Sequence, residues 1–483
     1  LIQSLKSKTI HGFFWSLVDS SANQGIQFLT GIVLARILSP KEFGLIGLIT
    51  IFITISQVFI DSGLSSALIR KNDCTEKDFS TTFHFNMMIS FIAFLLLFIF
   101  SKKISLYFEE PELHQMLKVL SFGLVINALA AIHKVHLIKK IDFKKQSKIS
   151  VIASIISGVI AIVMALKGYG VWSLVCLMLV RYIASTILFW YYVDWRPSWI
   201  FSKVSFKELF GFGRNLLLSQ LLDMVYRNAF LFIIGKFYST IQLGYYTRSD
   251  QFKSLSSNQL SAVINRVSYP VLSSIRGDRE RLSRNFRRLV RGTLLISSMC
   301  MLGLAAISEP LVILLIGEQW RPCIWILQLL CLTGVFQPLN ALSLRILMVE
   351  GRSDLFLKLS VIKKIIAIPL LYLGIHFGIK ILILGMLCNS IVALFIHGYW
   401  TYKLIDYKMV SQVRDVIPNL FNSIIICSLT YFLGLFLNLP YSIEIIIQIV
   451  TATLLFFITN EILKRKSYME IKKIILDQLV ISH

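Results

Sequence analysis

Long apolar runs such as "MMISFIAFLLLFIF" and "IIAIPLLYLGIHFGI" recur about every 30 to 40 residues along this chain, each able to centre a helix of about 20 residues that crosses a bilayer. Inside hydrocarbon a backbone must satisfy its own hydrogen bonds, so only helices or closed barrels cross, and runs of this length select helices. Composition agrees: 56% of the 483 residues are hydrophobic and 16% charged, where soluble domains carry about a quarter. The reading is an all-α polytopic membrane protein of about fourteen transmembrane helices. Helix 1 is expected over 13–37, helix 2 over 43–67, helix 7 over 209–235 and helix 8 over 243–270. The last two are expected over 417–437 and 441–463. The opening "LIQSLKSKTIHGFFW" lacks a small-residue cleavage site and is expected to stay as part of helix 1.

A net charge of +23 would suit a nucleic-acid partner in a soluble chain, but here it follows the loops. With the amino terminus inside, most loop lysines and arginines fall on the inner side. They cluster at Lys139, Lys140, Lys144, Lys145 and Lys148, from Arg276 to Arg291, and at Lys464, Arg465 and Lys466. The expectation is cytoplasmic termini and no nucleic acid. The seven cysteines, mostly inside expected helices, form no CxxC pair and no metal-like spacing, so no metal is expected.

The turn "ARILSPKEFGLIG" returns 200 residues later as "GKFYSTIQLGYYT", matching Arg36 with Lys236, Ser39 with Ser239 and Gly44 with Gly244. Each turn joins the first two helices of a six-helix set. The first helix of each set is unusually polar: Ser16, Asp19, Ser20, Asn23, Gln24 and Gln27 in one, Asn215, Ser219, Asp223 and Arg227 in the other. Spacings of three and four put these groups on one helix face, which must point at protein or water. Six crossings between the turns return the chain to the same side, so the repeats are expected to be parallel. That gives two pseudo-symmetric six-helix lobes over 1–200 and 201–410, then two C-terminal helices and a basic tail over 411–483, with a site expected at the interface of the repeats.

Charges inside the expected spans mark that site. Arg214, Arg266, Arg345, Lys363 and Lys364 lie near helix ends and can snorkel to the interface. Arg181 and Arg227 lie deeper, and Arg248 shares a stripe of helix 8 with Gln251, Asn258, Ala262 and Asn265. A charge at the bilayer centre costs about 2.5 to 3.5 kcal/mol, and an anionic ligand would give several cations a reason to be there. Candidate substrate contacts are therefore Arg181, Arg227, Arg248, Asn258, Gln24 and Asn23. Asp19, Asp223 and Asp250 are candidate proton or sodium carriers; Asp61, near an inner helix end, can equally be a cap. Asp223 and Arg227, four residues apart, could also neutralise each other. In helix 10, Pro338 removes one ladder hydrogen bond beside Gln337 and Asn340.

The stretches "LARILSPKEFGLIGL", "FIDSGLSSALIRKND", "WRPSW" leading into "FKELFGFG", and "INRVSYPVLSSIRGDRERL" resemble the polysaccharide transporter branch of the multidrug/oligosaccharidyl-lipid/polysaccharide exporter superfamily. The resemblance covers helices 1 to 12. It implies a bacterial inner-membrane protein whose two lobes form a V, usually with two extra helices. It further implies a flippase that moves an undecaprenyl-pyrophosphate-linked glycan to the periplasmic leaflet by alternating access, for O-antigen, capsule or exopolysaccharide. Its partners would be that glycan, membrane lipid, a polysaccharide polymerase and a chain-length regulator, and no cofactor is implied beyond coupling to a proton or sodium gradient. Relatives that flip the peptidoglycan precursor use arginines in helices 1, 2 and 8; here helices 1 and 2 have no central arginine, while Arg248 lies in helix 8.

No GxxxxGK[ST] phosphate loop is present, so the drive would be an ion gradient, the membrane potential or product removal. An enzyme on lipid-linked glycans would need a larger extramembrane loop than any expected here, so no catalytic residue is assigned. A drug exporter of the same superfamily would be expected to line its cavity with acids for cationic substrates, and a peptidoglycan-precursor flippase is the other alternative.

Overall fold

A computed structural model describes residues 21–437, 439–470, 472 and 473, with the side chains of 265–267, 269, 270 and 353 left aside. Helices account for almost all of it, and no strand occurs among the described residues. In chain order they are α1 (described over 21–37), α2 (Pro40–Asp61), α3 (Leu64–Arg70), α4 (Glu76–Phe108), α5 (Glu112–Lys139), α6 (Phe143–Leu166), α7 (Val171–Tyr192) and α8 (Lys203–Phe237). Then follow α9 (Thr240–Ser274), α10 (Arg279–Ala306), α11 (Ser308–Ile316), α12 (Cys323–Val349), α13 (Ser353–Phe377), α14 (Ile379–Ile405), α15 (Met409–Phe436) and α16 (Tyr441–Ile462). Eleven of the described helices are long and apolar enough to cross a membrane. At 35 and 25 residues, α9 and α13 have the length as well.

Contacts divide the chain into two compact units, Leu1–Gly244 and Tyr245–His483. The first pairs α4 with α5, α6 with α7, and α2 with α8; the second is built on α10, α12, α14 and α15, with α13 on α14.

Expected helix 2 departs from its sequence reading. It breaks at Ser62 and Gly63, whose φ angles of 49° and 69° are left-handed, and restarts as α3. Hydropathy averages over such a break because both sides are apolar. A Cβ on Gly63 would lie 2.4 Å from the carbonyl oxygen of Gly213 in α8, so the bend is also where two backbones touch.

The repeated turn is explained in the first unit, where the two copies lie against each other. A Cβ on Gly44 would sit 1.8 Å from the carbonyl oxygen of Thr240, and one on Gly244 would sit 1.9 Å from that of Pro40. Pro40 and Thr240 are themselves matched at the same offset, so each glycine gives room to the partner of the other. Below this crossing α2 runs antiparallel to α8, with Leu48 against Gly235 and Thr54 accepting a hydrogen bond from Asn228 at 3.1 Å. Each turn starts its helix with a serine. Glu42 accepts from the Ser39 backbone (2.6 Å) and hydroxyl (2.9 Å), while Ser239 Oγ accepts from Gln242 N (3.1 Å).

Two clusters tie down the ends of this unit. At one end Glu110 takes an ion pair from Lys41 (3.2 Å) and a hydrogen bond from the Thr240 hydroxyl (2.5 Å), and Lys236 pairs with Glu109 (3.2 Å). At the other Lys71 bridges Asp78 (3.2 Å) and Glu208 (2.8 Å); the Glu208 carboxylate first, then Asp78, raises the Lys71 ammonium above its ordinary range. The "WRPSW" stretch closes the same end, with the Trp195 indole donating to both oxygens of Glu76 at 3.0 Å.

Candidate functional site

Within the first unit a cavity of about 590 Å³ opens between α2, α3, α5, α6 and α7, inside the usual ligand range of about 300 to 1,000 Å³. Its wall mixes apolar residues such as Ile60, Val135 and Phe189 with polar ones: Gln57 and Asp61 from α2, Asn127 and Lys134 from α5, Arg181 and Tyr182 from α7. Gln57 Nε2 donates to the Tyr182 hydroxyl at 2.9 Å, holding α2 to α7 at the cavity wall. Arg181 and Lys134 against Asp61 leave one net positive charge. At 1.5 Å per residue Arg181 stands about 15 Å along α7, and Lys134 about 8 Å short of the end of α5. The cavity thus reaches from the end marked by Lys71 towards mid-span.

Of the residues expected to bind substrate, Arg181 is the one placed in this cavity. Asn23 is on α1, where its Oδ1 accepts from the Ser154 hydroxyl at 2.6 Å, and Gln24 beside it is half-buried. Two turns on, Thr30 fills the space over Gly158, so part of the polar face of helix 1 packs on α6. Asp223 and Arg227 are both exposed on α8, and no ion pair joins Arg227 to Asp223 among the described residues. Asp19 lies outside the described residues.

The second unit carries its polar groups along α9. Arg248 Nη1 donates to Gln251, Lys253 pairs with Asp250 at 2.7 Å, and Asn258 Oδ1 accepts from Gln337 at 3.1 Å. Ser257 reaches the same Gln337 at 3.2 Å, which binds α9 to α12 beside Pro338. The helix α12 continues through that proline. The side chains of Asn265 and Arg266 lie outside the described ones. No group of three or more His, Cys, Asp or Glu residues is placed to hold a metal ion among the described residues.

Sequence reasoning missed Gln57, Asn127 and Lys134. The signal was available: Gln57 with Asp61, Asn127 with Lys134 and Arg181 with Ser185 stand four or seven apart, each pair on one helix face. What hid Gln57 and Asn127 was that each stands with few polar neighbours in an otherwise apolar helix.

A polar, cationic hollow in an apolar bundle narrows the possible families, and the sequence decides among them. Residues 33–325 match the family described as polysaccharide biosynthesis protein. The chain belongs to that family. Proteins of similar sequence include the lipopolysaccharide biosynthesis protein WzxC of Escherichia coli (strain K12), 26% identical over 377 residues, 77% of this chain and 76% of that one. The succinoglycan biosynthesis transport protein ExoT of Rhizobium meliloti (strain 1021) is 25% identical over 67% of this chain and 66% of its own. Among solved structures, the lipid II flippase MurJ in an inward closed conformation superposes with a TM-score of 0.76 at 16% identity, over 94% of this chain and all of that one. At that identity the likeness concerns the fold. The family match takes in both copies of the turn, the cavity and Arg181, Arg227, Arg248 and Asn258, and begins after Asn23 and Gln24.

Proposed function

We propose that the chain is a flippase that carries an undecaprenyl-pyrophosphate-linked oligosaccharide across the bacterial cytoplasmic membrane, from the cytoplasmic to the periplasmic leaflet, by alternating access, for O-antigen, capsule or exopolysaccharide synthesis. The carrying observation is the cationic cavity with Arg181 at its inner reach, in a chain of this family. The names of WzxC and ExoT, which place those proteins in surface-glycan synthesis and transport, support the reading.

The physics sets what such a path must do. An isolated buried anion costs tens of kcal/mol in the Born limit, so a pyrophosphate does not cross hydrocarbon unaided. Arginine supplies a planar fork of donors that fits two phosphate oxygens, and amide side chains replace water along the rest of the way. Arg181 in the first unit and Arg248 with Asn258 in the second are assigned to the substrate at stages of its transit; Arg227, exposed on α8, is assigned to the same substrate. Asp223 and Asp250 remain the candidate ion carriers. Asp250 would have to leave Lys253 to take up a proton or sodium ion. With the inside negative, moving one negative charge outward is favoured by about 2.3 kcal/mol per 100 mV, so the membrane potential alone can bias direction. The repeat-based division at 200 and 410, cytoplasmic termini, and partnership with a polymerase and a chain-length regulator complete the reading.

The test is purified protein in liposomes with a short-chain fluorescent undecaprenyl-pyrophosphate oligosaccharide, following its exposure in the opposite leaflet. Protein-dependent exposure that falls about tenfold or more for Arg248→Ala is expected, since a charge-assisted contact is worth about 1.5 to 3 kcal/mol. No exposure with any of several glycans, while a known flippase works alongside, would overturn the reading.

A further inference from the structure

The second unit holds a strongly basic pocket that the transport path does not use. It lies where the third and fourth turns of α10, the first turns of α15 and the segment after α16 meet, and encloses about 490 Å³. Six cations line it: Arg287, Arg291, Arg414, Lys464, Arg465 and Lys466. A single carboxylate, the buried Asp415, stands among them and is already saturated. It accepts from Arg287 through both Nε and Nη2 (the latter at 3.0 Å), from Arg291 Nε (3.0 Å) and from the Tyr407 hydroxyl (2.8 Å). Asp415 thus fixes two arginines in place without neutralising the other four cations. Of the acids in and after α16, Glu470 pairs with Arg288 at 3.7 Å and Glu461 with Lys472 at 2.7 Å, and neither lines the pocket. A second, independent sign is the Nε of Arg465, a buried donor in the pocket wall that has no hydrogen-bond partner among the described residues. A buried charged donor left without an acceptor is costly, and an oxyanion in the pocket would supply one.

We propose that this pocket seats the phosphate of an anionic phospholipid in the leaflet at that end of the helices. The chemistry recognised is a phosphate oxyanion, and the setting favours a lipid over a free ion. Leu463 stands in the pocket wall, and from it an apolar stripe runs back along α16 through Ile462 and Ile458, all three exposed at the protein surface. A head group held by the arginines would lay its acyl chains on that α16 stripe. Basic pockets between membrane helices recognise anionic head groups in this way. The site needs neither the lipid-linked glycan nor transport, so its failure leaves the proposed function standing.

The experiment uses the full chain purified in detergent with equal amounts of phosphatidylglycerol and phosphatidylethanolamine, and reads bound lipid by native mass spectrometry. Native protein is expected to retain phosphatidylglycerol preferentially. The triple variant Arg414→Gln, Lys464→Gln, Lys466→Gln, which leaves the Asp415 cluster intact, is expected to retain about tenfold less. A charge-matched variant at the other unit, Lys140→Gln, Lys144→Gln, Lys148→Gln, is expected to retain as much as native. If the triple variant does not yield folded protein, the single change Lys466→Glu is read in the same way. Retention equal to native in the pocket variants, or an equal loss in the charge-matched control, overturns the assignment. Displacement of the lipid by excess inorganic phosphate would also overturn it, by making the ligand a free anion.

Discussion

Arg181 stands about 15 Å into α7, at the depth where insertion scales charge about 2.5 to 3.5 kcal/mol for a cation. The cavity beside Gln57 and Tyr182 is what makes that position tolerable. Changing Arg181→Gln should therefore leave expression and melting temperature unaltered or improved, while transport in the liposome assay falls about tenfold or more. Arg181→Lys should fall between, because it keeps the charge but loses the two-pronged geometry. A variant that transports normally would remove Arg181 from the path. Sequence alone singled out Arg181 because a charge in mid-helix has no cheaper explanation. Lys134 was passed over because hydropathy ends the expected helix just before it, where a lysine reads as a loop charge. Gly44 and Gly244 were noticed as matched letters, but their role became visible only when the two backbones were found in contact. Adding a methyl at either, Gly44→Ala or Gly244→Ala, presses a Cβ to under 2 Å from a carbonyl oxygen. Each should cost about 1 to 3 kcal/mol, read as a lower melting temperature in detergent, and Gly25→Ala, with open space around it, should not.

At the level of helices, most boundaries were legible because apolar length and charged ends mark them: α7, α12 and α16 fall where hydropathy puts them, while α5 runs six residues past its expected end at 133, carrying Lys134 and Lys139 inside the helix. The break between α2 and α3 was not, since it depends on two left-handed φ angles and on Gly213 of another helix. Also invisible was the clamp joining the start of α2, the end of α4 and the start of α9. Its two glutamates differ in a way that gives a prediction. Glu110 has 13% of its side chain exposed and holds both Lys41 and Thr240, whereas Glu109 is 82% exposed and holds Lys236. Shielded charge pairs lose much when one partner is neutralised; exposed pairs contribute little. Glu110→Gln should lower the melting temperature measurably, and Glu109→Gln should leave it within error. Equal effects would mean that the clamp acts only through general surface charge.

For the whole molecule, the orientation we propose rests on the two distinct ends of the first unit. Pro40, Glu109, Glu110, Lys236 and Thr240 share one end, with acids matching the bases. Lys71, Lys139, Trp195 and Glu208 share the other, and the loops there add Lys140, Lys144 and Lys145. Helix insertion retains lysine-rich and arginine-rich loops inside, so the second end is the cytoplasmic one in our proposal. A reporter active only in the periplasm should then be silent when fused after Lys148 or Arg279 and active after Lys167, in the short turn between α6 and α7. The paired outcome matters, because silence alone could reflect an unstable fusion. Activity after Lys148 with silence after Lys167 would invert the molecule. The cavity holding Arg181 and Lys134 would then open towards the periplasm, and the direction of carriage would have to be reversed with it.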